Sequence, residues 1–188
     1  MRPTKSQAIF MAAALGTVLS APLAVANTTR SEPRTSAQEK IAERLDRFES
    51  VASSMRTEMD HYASSVRSHN PHMQAHIYRL NYAKERVNDL GVKLSELERL
   101  SPQGTSLQQA AIREARPHLE AVASHVQTAM EMLKEDQRSH RSREFREKVK
   151  GMYEHSDNLY SKVDAITDYE KARARAAEVA VLANADDV

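Results

Sequence analysis

Between residues 41 and 66 eight apolar side chains recur in steps of four and three without a break: Ile41, Leu45, Phe48, Ala52, Met55, Met59, Tyr62 and Val66. A mean step of 3.5 residues places all eight on one narrow stripe of an α-helix. Such a stripe is stable in water only when laid against another helix. The pattern excludes a strand here, since strand side chains change face at every residue.

Three later segments carry ladders of the same kind. Met73, His76, Leu80, Ala83, Val87, Leu90, Leu94 and Leu97 form the second. Ile112, Ala115, Leu119, Val122, Val126, Ala129 and Leu133 form the third, with Pro117 on its outward side. Phe145, Val149, Met152, Leu159, Val163 and Ile166 form the fourth, until Glu170 and Arg173 occupy the next expected rungs. Turn chemistry separates them. Ser101-Pro102-Gln103-Gly104 is the strongest turn signal. Ser36 with Glu39, and Ser106 with Gln109, have capping-box spacing. Asn70-Pro71 reads as a cap followed by a first helical residue, and Ser142 reads as a cap for the last helix. The boundary at residues 135–143 is weak, because EDQRSHRSR contains neither glycine nor proline.

The expectation is an all-α fold with helices at about residues 36–68, 71–100, 106–134 and 142–183. Short connections favour an elongated up-down-up-down four-helix bundle, equivalently a pair of antiparallel coiled-coil hairpins, over residues 36–183. A proline kink near residue 71 is the rival to the first hairpin. The narrowness of the first stripe leaves a coiled-coil homo-oligomer open.

The start of the chain reads as an export signal. Arg2 and Lys5 precede an apolar stretch at residues 8–20, and Ala24-Val25-Ala26 is an A-x-A site, so cleavage is expected between Ala26 and Asn27. The alternative of a retained anchor is disfavoured by Pro22 and by alanine outnumbering leucine. Residues 27–35 are polar and read as a disordered tether. A periplasmic or secreted location follows, with no stable membrane span after cleavage.

Composition narrows the chemistry. The 27 basic and 26 acidic residues nearly cancel, so no global pull toward nucleic acid is expected. No cysteine is present, which excludes disulfides, thiol catalysis and c-type haem attachment. Gly91, Gly104 and Gly151 are the only glycines after residue 26, too few for a phosphate-cradling loop. Neither G-x-S-x-G nor H-E-x-x-H occurs. No catalytic residue is expected.

Histidine is the uncommon feature. His69, His72 and His76 flank the first turn, and the up-down order brings His140 to the same end. These four are the candidate metal ligands, since imidazole suits zinc, copper and nickel. The bland reading is hydrogen-bonded histidine at a bundle tip. Glu58-Met59-Asp60-His61 has the E-x-x-H spacing of di-iron bundles, but no second copy exists. Met55 and Met59 suit a core better than a soft-metal site. A non-covalent haem held by one histidine and one methionine is permitted by the residue types. Residues 138–150 carry Arg138, Arg141, Arg143, Arg146, Lys148 and Lys150 against two acids, a candidate polyanion-binding segment.

The sequence therefore points to a non-enzymatic exported helical-bundle protein acting through protein–protein contact in the cell envelope, as a scaffold or chaperone-like factor. No resident cofactor is expected, and the partner is an envelope protein. A metal- or haem-binding carrier or sensor using the histidine-rich end is the alternative. A polyanion binder through residues 138–150 is the second.

Overall fold

The computed structural model of the chain describes residues 35–68 and 72–185. Within them the fold is all-α. Helix α1 spans Ser36–Ser68, α2 Met73–Leu100, α3 Ser106–Glu135 and α4 Arg143–Ala185. The expected export signal, the expected tether up to residue 34 and the expected Asn70-Pro71 cap lie outside the described residues. Among the described residues no helix is long and apolar enough to cross a membrane.

The helix starts show how local chemistry sets the boundaries. Thr35 and Gln38 close the capping box of α1: Thr35 Oγ1 accepts the Gln38 N–H at 3.3 Å, and Gln38 Oε1 accepts the Thr35 N–H at 3.0 Å. Thr105 and Gln108 do the same for α3 at 3.1 and 3.0 Å. Both boxes sit one residue before the expected Ser36/Glu39 and Ser106/Gln109 pairs. Each site offers two overlapping S/T-x-x-E/Q registers. At α3 the earlier one wins because the Gln108 amide is fully buried and has further partners there. The weak boundary after α3 is a real break. Asp136 is extended, and its carboxylate accepts the Arg138 N–H at 2.8 Å. A 3-10 segment, Gln137–Arg141, then leads to Ser142, whose Oγ accepts the Phe145 N–H at 3.0 Å and caps α4.

All eight rungs of the α1 ladder are buried, as are the seven of α3. In α4, Phe145, Val149, Met152, Leu159 and Val163 are buried. Ser156 fills the rung between Met152 and Leu159 and satisfies its hydroxyl on the Met152 carbonyl at 2.6 Å. Each large side chain removed from water contributes on the order of 1.5–3 kcal/mol. Helix α2 closes less completely, for Met73 and Val87 on its ladder are only half-buried. Every helix packs on the next in the chain, and α4 packs on α1.

Contacts at the two ends show that successive helices run in opposite senses. Late α1 meets early α2 and the start of α4 through Tyr62, His76 and Phe145. At the other end early α1, the start of α3 and late α4 meet in a polar knot. There Gln108 Nε2 donates to the Gln38 carbonyl and to Glu170 Oε2, both at 3.0 Å, and Thr105 Oγ1 donates to Glu170 Oε1 at 2.6 Å. Glu170 stands where the fourth ladder expects an apolar rung, and it is buried because this knot receives its carboxylate.

Candidate functional site

At the histidine-rich end, His76 is fully buried. Its Nδ1 shares a hydrogen bond of 2.9 Å with the Tyr62 hydroxyl. Its ring lies 5.2 Å from that of His140 and meets Phe145 edge-on, also at 5.2 Å. His140 donates from Nδ1 to the Gln137 carbonyl at 2.6 Å. Burial pushes the Tyr62 phenol well above its ordinary pKa, opposed by the Arg79 guanidinium, so it stays neutral. His72 is exposed just before α2, and His69 lies outside the described residues. The expected cluster is thus brought together at His76 and His140, within an aromatic packing environment. Among the described residues no three His, Cys, Asp or Glu side chains are placed to hold one metal ion. His61 is exposed, Glu58 pairs with Arg79 at 3.4 Å, and Met55 and Met59 lie in the core.

The basic segment spreads over the 3-10 segment and the first two turns of α4. Arg138, Arg141, Arg143, Arg146 and Lys150 are exposed, and Lys148 is half-buried. Arg143 faces Glu147 at 4.0 Å, and Lys150 pairs with Glu154 at 3.0 Å. Arg146 and Lys150 join Arg67 around a recess of about 340 Å³, but Glu147 and Glu154 line it too. The field there is mixed rather than uniformly positive, which weakens steering of a polyanion.

Two recesses follow from the incomplete closure of α2. One of about 420 Å³ lies between Val87, Ala123, Val126 and Met130, with Lys84 and Glu131 on its rim. The other, of about 370 Å³, lies between Met73, Ile77, Leu80, Met130 and Leu133, with Lys134 on its rim. Met130 lines both, so the two apolar recesses adjoin at that side chain along α2 and α3. Methionine where they meet gives an adaptable surface. No pattern of charges or motifs in the sequence marks this groove; the only signal is that Ile77 and Met130 are apolar residues beside, rather than on, the ladders.

A second group of histidines lies on the α3–α4 seam, away from the expected cluster. His118 Nδ1 and His155 Nδ1 are 3.4 Å apart. The His125 ring stacks on His155 with centroids 5.5 Å apart and planes 28° apart. All three are half-buried. The Nε2 side of the His125 ring lies against Gly151, where a Cβ would stand 2.4 Å from Nε2. Burial holds the His118 imidazole below its ordinary pKa, assisted by His155 and Lys162 and opposed by Glu114. His125 is lowered in the same way, by burial first, then His155 and Lys148, against Glu154. The sequence hints at this row in two ways: His118 and His125 are seven residues apart, and a glycine interrupts α4 at residue 151.

Comparisons against protein-family models, curated proteins and solved structures each return no match.

Proposed function

We propose that this chain is a non-enzymatic helical-bundle protein that works by holding an apolar segment of another polypeptide in the groove between α2 and α3. The groove itself carries this reading. It is apolar in its floor, charged at its rim, and lined by Met73, Ile77 and Met130, side chains that can repack around varied partners. The leading segment and its A-x-A site support export, so the partner is an envelope or extracellular polypeptide and the role is that of a scaffold or chaperone-like factor.

The histidine-rich end gives less support to a metal or haem carrier. Its best-placed imidazole, His76, spends Nδ1 on Tyr62 and packs against the rings of His140 and Phe145. A polyanion-binding role is weakened by the acids interleaved with Arg143, Arg146 and Lys150.

Affinity capture from envelope extract tests the proposal. The unaltered chain should retain a partner that an Ile77→Arg/Met130→Arg variant of unchanged helix content loses. Equal recovery on both refutes the groove as the working surface.

A further inference from the structure

We propose that His118 and His155 form a two-imidazole clamp for a divalent zinc-class ion, tying α3 to α4. The two Nδ1 atoms are 3.4 Å apart. Zinc binds imidazole nitrogen at about 2.0–2.1 Å, and two corners of a tetrahedron at that radius are about 3.3–3.4 Å apart. A square-planar copper site would bring neighbouring nitrogens to about 2.8 Å, so the spacing favours tetrahedral zinc.

The packing of the bundle sets the two rings side by side. His118 and His155 come from different helices, α3 and α4, which share the most extensive helix–helix contact among the described residues. His125 stacks on His155 and restrains its ring. Gly151 makes that stack possible, since any side chain there would strike the His125 ring. A glycine weakens a helix interior by about 1 kcal/mol, so its presence under an imidazole needs a reason, and the seating of this ring supplies one. The pair is half-exposed, so an ion can reach it. Binding at Nδ1 places the ring proton of each imidazole on Nε2. No net proton is released when both rings start neutral.

The two protein donors leave two corners for water or carboxylate. Glu114 lies one turn before His118 and is the acid whose charge bears most on it. Lys162 beside His118 and Lys148 beside His125 oppose a cation, while Glu154 favours one. The site is therefore of moderate rather than very high affinity. It is independent of the α2–α3 groove, and either reading can fail without the other.

Titration of the full chain with Zn²⁺ by calorimetry, paired with thermal melts, tests the clamp. One equivalent should bind saturably. At a free ion concentration about a hundredfold above Kd, the midpoint should rise by on the order of 5–10 °C. His118→Gln and His155→Gln should each weaken binding roughly tenfold or more and abolish most of the rise. His76→Gln and His140→Gln should leave both unchanged. Nitrogen NMR of the unaltered chain should show Zn²⁺ shifting the Nδ1 resonances of His118 and His155, a readout that needs no variant to fold. Absence of saturable binding, or binding that survives both seam variants, overturns the proposal and leaves the pair as an imidazole–imidazole hydrogen bond.

Discussion

Replacing Gly151 with alanine asks whether the His125 ring really rests on the α4 backbone. In an unobstructed helix interior, glycine to alanine stabilises by about 1 kcal/mol. Gly91, inside α2, is such a position, with nothing within 4 Å of the point a Cβ would occupy. Gly91→Ala should therefore raise stability by about 1 kcal/mol, or about 2–4 °C for a chain of this length. At Gly151 the same propensity gain meets an obstacle: a Cβ would stand 2.4, 2.7 and 2.9 Å from three atoms of the His125 ring. The ring is half-exposed and can swing away, so the cost is its stacking on His155 rather than backbone strain. A ring pair is worth about 0.5–1.5 kcal/mol, enough to cancel the gain. Gly151→Ala alone should change stability by less than about 0.5 kcal/mol, and in a His125→Ala background it should recover the full gain of about 1 kcal/mol. Urea melts followed by far-ultraviolet circular dichroism at neutral pH resolve that difference. If Gly151→Ala stabilises the unaltered chain as much as Gly91→Ala does, or gains the same in both backgrounds, the His125 ring does not rest on this glycine.

Three other outcomes follow from the packing. Tyr62→Phe removes the hydroxyl bonded to the buried His76 Nδ1 and should cost about 1–3 kcal/mol in a denaturant melt. Gln108→Ala removes the side-chain half of the α3 capping box, the Thr105 N–H to Gln108 Oε1 bond, and a donor to the buried Glu170 carboxylate, while the Thr105 cap on the backbone N–H of residue 108 stays; about 0.5–1.5 kcal/mol for the first bond and about 1.5–3 kcal/mol for the charged one should appear as a lower melt midpoint. The lowered pKa values of His118 and His125 mean that the folded chain binds fewer protons than the unfolded chain as pH falls into the histidine range. Their contribution is thus intact above about pH 6.5 and lost as pH falls through that value and into the depressed range, and a His118→Gln/His125→Gln variant should show a flatter stability profile over that window.

Much of this architecture is readable from spacing alone, because a helix that must bury a stripe leaves its period in the sequence. The α1 ladder is the clearest instance, with Ile41 through Val66 all buried. Boundaries are harder. The threonines at 35 and 105 cap in place of their neighbouring serines, and at residue 105 the reason is tertiary: Gln108 gains partners that no local rule contains. Asp136 ends α3 without glycine or proline, through a side-chain bond to the Arg138 backbone. Glu170 reads as a fault in the fourth ladder, yet Thr105 and Gln108, more than 60 residues away, supply its donors. The seam histidines are hard to see for a related reason. They flank the core stripe instead of lying on it, and only the pairing of α3 with α4 sets His118 beside His155.

The half-closed rungs of α2 have a consequence for how this molecule could be completed. From Met73 to Asn88 the opening runs for sixteen residues, about 22 Å at the rise of an α-helix. Four or five turns of a visiting amphipathic helix would fill that length, and Met130 would sit under its midpoint. On the proposed reading, a helix from another chain would lie along this opening as a fifth rod beside the four.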